Sequence, residues 1–235
     1  MQQITGNLFQ LALGAVNVFV IEDDGLTLVD TGYENSTDKI FSALQKAGKD
    51  PAAIKRVILT HCHPDHSGSV AEINRRLGVP VYAHVNDVTL LESGIGGREP
   101  KVLSPGLMNW IIFQLFIKRG SAAIQAVKID EQLHDNDIIP VAGGIQVIHT
   151  PGHCAGHIAL LLKSEGLLIS GDLCANVMGL DLSTVYEDRA TGIDSILKAA
   201  AFDFDRAVFG HGKLLGRAAN KKMHAHFLPF SKRHQ

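Results

Sequence analysis

Seven side chains define the chemistry open to this sequence: His61, His63, Asp65, His66, His153, Asp172 and His211. Imidazole and carboxylate donors without a thiolate suit zinc, manganese or iron, and zinc is the default for hydrolysis. Four of the seven fall within six positions of Thr60-His61-Cys62-His63-Pro64-Asp65-His66-Ser67-Gly68, directly after the apolar run Ile54-Lys55-Arg56-Val57-Ile58-Leu59. Two histidines two positions apart in a loop can point at one cation, while Asp65 and His66 can face a second beside it. Each cation then needs a remote donor. His153 completes the first set, His211 the second, and Asp172 has the two oxygens required to bridge both.

Two cations held this close would acidify a shared water and give a metal-bridging hydroxide at neutral pH, one of them polarising the bond under attack. Asp172 holds the pair together and Asp65 orients the nucleophile, so these two carboxylates are the expected catalytic residues. The second cation would stabilise the leaving atom, so no dedicated side-chain acid is required, and none stands out. Histidines elsewhere, His84, His134, His149 and His157, read as ordinary packed or surface residues. Cys62 and Cys154 each follow a candidate ligand, and Cys174 lies two beyond Asp172. Alternation along an extended loop would turn Cys62 away from His61 and His63. The three cysteines therefore read as small buried packing residues, with reversible oxidation near the site as a secondary reading.

Each candidate ligand sits just after an expected strand, so all can converge on one sheet edge. Short apolar strands are expected from Leu8 to Leu13, Asn17 to Glu22 and Leu26 to Val29, closing in the loop Asp30-Thr31-Gly32. A helix follows, capped by Ser36 or Thr37, with Ile40, Phe41, Leu44 and Ala47 on its apolar face and Gly48 as its stop. Next come a strand from Val57 to Thr60, the histidine-rich loop, a helix from Ser69 to Leu77 and a strand from Val79 to Ala83. The second half repeats this order. Strands from Ile129 to Leu133, Ile145 to His149, Ile158 to Leu162 and Leu167 to Ser170 lead to a helix from Gly192 to Ala201. A last strand, Ala207 to Phe209, delivers Gly210-His211-Gly212.

Composition narrows the class. The chain has 235 residues, 46% hydrophobic, with a formal charge of −2. That suits one α/β domain over 1–235 with ample core, and offers no basic surplus for nucleic acid. The longest apolar candidate for a span, Leu107 to Ile117, is too short and carries Asn109 and Gln114, so no membrane association is expected. Three cysteines without a pairing pattern, and no signal-like start, point to a reducing cytoplasm.

The pattern His-x-His-x-Asp-His followed by a distant His, Asp and His resembles the metallo-β-lactamase superfamily, over nearly the whole chain. Leu28-Val29-Asp30-Thr31-Gly32 and Thr150-Pro151-Gly152-His153 also match looser features of that family. The resemblance implies a four-layer αββα sandwich with two Zn2+ at one edge, Mn2+ or Fe being the alternatives. It further implies that Asp30 orients a ligand loop, a sensible role because a ligating imidazole needs an acceptor for its other N–H. Asp172 speaks against a true β-lactamase, since the lactam-cleaving branches generally lack that carboxylate. Glyoxalase II-like thioesterases, lactonases and related esterases or phosphodiesterases remain. Many homoserine-lactone hydrolases carry a tyrosine shortly after this aspartate, where the chain has Leu173-Cys174-Ala175-Asn176. Glyoxalase II proteins have a longer basic C-terminal region, and Lys221, Lys222 and His224 read as a solvated helix face. The rivals to a hydrolase are an oxidoreductase similar to the persulfide dioxygenases, with one iron, and a non-catalytic family member.

Substrate preference is expected to lie in an apolar insertion at about 93–127. Its run Leu107-Met108-Asn109-Trp110-Ile111-Ile112-Phe113-Gln114-Leu115-Phe116-Ile117 is apolar around most of a helix, where one packed face would need only a stripe. It is expected to cap the cleft, with Trp110, Phe113 and Phe116 walling a small-molecule substrate that has an apolar portion. A core or homodimer helix is the competing reading.

Overall fold

The strand Ile158–Leu162 is buried along its whole length, with Ile158, Leu160 and Leu162 on one face and Ala159 and Leu161 on the other. A strand apolar on both faces belongs inside a sheet that is covered on both sides. It is the middle strand of a five-stranded sheet in the order Arg206–Val208, Leu167–Ile169, Ile158–Leu162, Ile145–His149 and Ile138–Ile139. A seven-stranded sheet runs Gln2–Gln3, Leu8–Leu13, Val16–Asp23, Gly25–Val29, Ile54–Ile58, Val81–His84 and Glu131–Leu133. The computed structural model describes residues 1–118 and 120–231. Arg119, within the expected 93–127 insertion, and residues 232–235, at the end of the expected 1–235 domain, lie outside the described residues.

Between the sheets, Leu8, Phe19, Ile21, Val29 and Ile58 meet Ile145, Val147, Leu160 and Ile169. The outer face of the larger sheet, Val18, Val20, Leu28 and Val57, packs against Ile40, Leu44, Ile73 and Leu91 of helices Thr37–Lys46, Val70–Leu77 and Val85–Glu92. Ile148, Ala159 and Leu161 lie under Ile193, Ile196, Met223 and Phe227 of helices Arg189–Ala200 and Ala219–Ser231. The result is the expected αββα sandwich. Each fully buried Leu or Ile side chain contributes roughly 1.5–3 kcal/mol to it.

Element ends differ from expectation where side chains intervene. The strand expected to reach Thr60 stops at Ile58, and the Thr60 N–H donates to Asp30 Oδ1 at 2.7 Å instead of joining a ladder. Ser36 stands at the N-cap of Thr37–Lys46 but makes no capping bond with its side chain. Its N–H donates to Ser69 Oγ, which in turn donates to the Tyr33 carbonyl, tying the 31–36 turn to the start of helix Val70–Leu77. The last long helix before His211 begins at Arg189 rather than Gly192, because Asp188 caps it by accepting from Thr191 N. Helix Val85–Glu92 was not anticipated: its cap is the His84 ring, whose Nδ1 accepts from Asn86 N.

The 93–127 segment is rooted on the edge that carries His153. Val102–Leu103 pairs antiparallel with Val185–Tyr186, and Ser104 Oγ donates to the Ser183 carbonyl. Helix Leu107–Ile112 continues into a π turn, Phe113–Ile117, and buries Asn109 while Trp110 is 52% and Phe116 72% exposed. A core placement is thereby overturned. The helix is anchored by its one polar residue, Asn109, which bonds Pro105 O and accepts from Thr184 Oγ1, so its apolar positions face outward.

Candidate metal centre

Five loops, each leaving the carboxyl end of a strand, supply the seven candidate donors and Asp30, and such crevices are where α/β sheets take ligands. The densest loop is shaped by Pro64, which opens the short helix Pro64–Ser67. His66 N and Ser67 N both donate to His63 O, and Ser67 Oγ donates to Cys62 O. This tight turn separates His61 and His63 from Asp65 and His66. Gly68 closes it where a Cβ would lie 2.4 Å from both Glu34 N and Pro64 O.

The structure brings all seven residues together in two sets. His61, His63 and His153 each place a donor within 4.8 Å of the others, as do Asp65, His66 and His211. Asp172 stands between the sets: Oδ1 is 3.4 Å from His66 Nε2, and Oδ2 is 3.1 Å from His211 Nε2 and 3.7 Å from His153 Nε2. The far nitrogens of His61, His66, His153 and His211 are committed elsewhere. His66 Nδ1 donates to Asp30 Oδ2 and His153 Nδ1 to Val185 O. His211 Nδ1 donates to Ala15 O, and His61 Nδ1 faces Thr60 Oγ1, which itself donates to Asp30 Oδ2. Asp30, fully buried and at φ 61, thus accepts from His66 directly and is linked to His61 through Thr60.

These donors fit metal ions. His61 Nε2, His66 Nε2 and Asp172 Oδ1 are buried without a hydrogen-bond partner, an arrangement that is costly unless a cation satisfies them. His153 Nε2 faces His63 Nδ1 at 2.9 Å, and two imidazole lone pairs at that distance repel unless a cation or proton lies between. Glycine keeps the space open: a Cβ on Gly210 would sit 2.1 Å from Asp172 Oδ1 and 2.6 Å from His66 Cε1.

Electrostatically the sets differ. Burial, reinforced by the neighbouring histidines, pushes the His61 imidazole well down and that of His153 to about 3. For His66 and His211 burial acts in the same sense, but Asp172 and Asp65 outweigh it and hold both well above the ordinary histidine value. Burial would raise the two carboxyls; His66 and His211 override it and hold Asp65 and Asp172 low. The first set is a neutral nitrogen cage and the second a charge-compensated carboxylate and imidazole cluster.

Two residues of the site escaped the sequence reading. His157 is packed, as expected, but its Nε2 accepts the Asp172 N–H at 3.0 Å while Nδ1 faces Thr150 Oγ1 at 2.8 Å. It thereby holds the Asp172 backbone from behind. Its spacing from His153 was visible, but nothing in sequence aimed it at Asp172. Tyr33 follows Gly32, and burial, with the Asp65 charge, pushes its phenol upward. Among the other histidines, His84 stacks on His149 at 3.9 Å between ring centroids. Trp110 and Phe116 do not join the seven, standing out in solvent, and Phe113 lies partly exposed on the π turn.

The profile of the metallo-beta-lactamase superfamily matches residues 11–211, the stretch that holds Asp30 and all seven donors. The chain belongs to the metallo-beta-lactamase superfamily. It is 26% identical over 220 residues to the probable metallo-hydrolase YflN of Bacillus subtilis, covering 86% of this chain and 82% of that protein. It is also 28% identical over 156 residues to the probable metallo-hydrolase YqgX of Bacillus subtilis, spanning 66% of this chain and 64% of that protein. In fold it is similar to BJP-1, a subclass B3 metallo-beta-lactamase of Bradyrhizobium japonicum. The TM-score is 0.72 at 23% identity, over 98% of this chain and 92% of that one. Superfamily members bind metal ions, and the two His/Asp sets are where this member gathers its donors. No helix among the described residues is long and apolar enough to cross a membrane.

Proposed function

We propose that this superfamily member is a dinuclear zinc hydrolase of a small ester, thioester or lactone. The observation that carries the reading is Asp172, whose carboxylate faces His66 through one oxygen and His211 and His153 through the other. His61, His63 and His153 would hold one ion, Asp65, His66 and His211 the other, and Asp172 both. The ions would supply an acidified water and an electrophile for the carbonyl oxygen.

The remaining work belongs to the chain. Asp65, whose Oδ2 lies 3.3 Å from His211 Nε2, would accept a hydrogen bond from the attacking water and aim it. Tyr33, whose phenol stays protonated at neutral pH under the influence of burial and Asp65, is the side chain suited to hand a proton to the leaving atom. The outward apolar face of Leu107–Ile117 supports a substrate with an apolar portion, which that face would cover.

Elemental analysis of protein purified without added metal, with turnover assays on thioesters, lactones and phosphodiesters, tests this. Two zinc per chain and cleavage of a carboxylic ester, thioester or lactone are the expected outcome. One iron per chain without hydrolysis would overturn it in favour of an oxygen-using relative, and two zinc without turnover in favour of a non-catalytic member.

A further inference from the structure

Behind the first histidine set lies a group of donors that hydrolysis leaves unused. Cys62, Asp87 and Cys154 are all buried, and each places a donor atom within 4.8 Å of the others. Cys62 is carried between His61 and His63, and Cys154 directly follows His153, so the alternation that turns the imidazoles toward the cleft turns both thiols away from it. There they meet Asp87 from helix Val85–Glu92. Its Oδ2 accepts the Cys62 N–H at 3.0 Å and lies 3.8 Å from Cys154 Sγ.

Packing, the role the sequence suggested for these cysteines, does not account for the carboxylate between them. Asp87 Oδ1 is buried without a hydrogen-bond partner, and so is Glu187 Oε1. The Glu187 carboxylate acts electrostatically on both thiols. Gly156 leaves room for Asp87, since a Cβ there would lie 2.2 Å from its Oδ1. Arg98 approaches from solvent, with Nη1 3.7 Å from Glu187 Oε1 and Nη2 donating to Asn86 O. Arg98 compensates Glu187, but the Asp87 oxygen left unsatisfied beside two thiols is costly, and a single cation would compensate those three groups.

We propose that Cys62, Asp87 and Cys154 form a third metal site for one thiophilic divalent ion of the zinc and cadmium class. Sulfur donors select a soft or borderline ion, and two sulfurs with a carboxylate make a donor set such an ion accepts. On binding, each thiol releases one proton to solvent and the ion takes their place. Side-chain motion of the exposed Arg98 opens the way in. The ion would clamp the His61–His63 loop of one sheet to the His153 loop of the other, and so set the spacing of the first histidine set from behind.

The test adds Cd2+ to the zinc-loaded protein and reads bound cadmium with the ultraviolet thiolate-to-cadmium absorption. Neither histidine set contains sulfur, so that band reports only cysteine ligation, whether or not cadmium exchanges with zinc elsewhere. One equivalent of thiolate-bound cadmium is expected, with a rise in Tm. The band should vanish in Cys154→Ala and in Cys62→Ala, and persist in Cys174→Ala. Absence of a band in the wild-type protein overturns the site, and needs no variant to fold. A band that survives both substitutions, or that Cys174→Ala removes, overturns it equally. A wild-type mass lower by the two hydrogens of a Cys62–Cys154 disulfide, with no band, would assign the pair to redox chemistry instead. Since no turnover is read, the outcome is independent of the hydrolase proposal.

Discussion

The backbone N–H of Asp172 donates to Nε2 of His157 across 3.0 Å, fifteen residues apart in the chain and fully buried. The bond fixes the His157 tautomer, with the proton on Nδ1 facing Thr150, and holds the backbone of the residue whose carboxylate stands between the two donor sets. His157→Ala should fold yet lose metal affinity by about 10–100-fold, the usual cost of removing a partner that orients a ligand. Chelator competition measures this, and unchanged affinity would show the bond to be idle.

Gly210 marks the tightest point of the second set. In Gly210→Ala the new methyl would press on Asp172 Oδ1 and His66 Cε1, both belonging to side chains held by other bonds. If the chain is the proposed dinuclear hydrolase, metal content should fall from two ions per chain toward one, with hydrolysis lost. Retention of two ions would show that Asp172 can shift without consequence.

The two sets should respond to pH in different ways. His66 and His211 have raised values, so below those values an incoming ion must displace their protons, and affinity rises with pH until the raised values are passed. The dependence should reach about tenfold per pH unit for each proton displaced. His61, His63 and His153 all have lowered values, so the first set should show a weaker slope. Calorimetric metal titrations from pH 6 to pH 8 separate the two ions.

Tyr33→Phe keeps the ring and removes the proton. If the phenol serves the leaving atom, kcat should fall roughly 10²-fold, the low end of general acid catalysis, with metal content unchanged. Substrates with more acidic leaving groups should regain most of the loss. An equal loss for all leaving groups would reassign Tyr33 to packing.

The exposed face of the 93–127 segment makes a separate claim. Replacing Trp110 and Phe116 by Ala removes two outward aromatic side chains and should leave melting temperature and metal content intact. KM should rise for esters with long acyl chains and stay unchanged for acetyl esters. Equal kinetics on both would remove the segment from substrate binding, and a shift from dimer to monomer would make it an interface.

Much of this centre was legible in sequence because its donors are local or strand-terminal. His61, His63, Asp65 and His66 share one loop, and each remote donor follows an apolar run that can only be a strand. Alternation alone turned Cys62 away from the histidines, whereas the four-layer arrangement was an expectation that came from the family resemblance. What tertiary structure decided concerns residues brought together by strand pairing and sheet packing: Asp30 under His66 and Thr60, His157 behind Asp172, and Asp87 between Cys62 and Cys154. It also reversed the insertion helix, burying Asn109 and exposing Trp110, because the hydrogen bond to Thr184 and the pairing with Val185–Tyr186 fix its orientation. Periodicity names the apolar face of a helix, but only its anchors determine which way that face points.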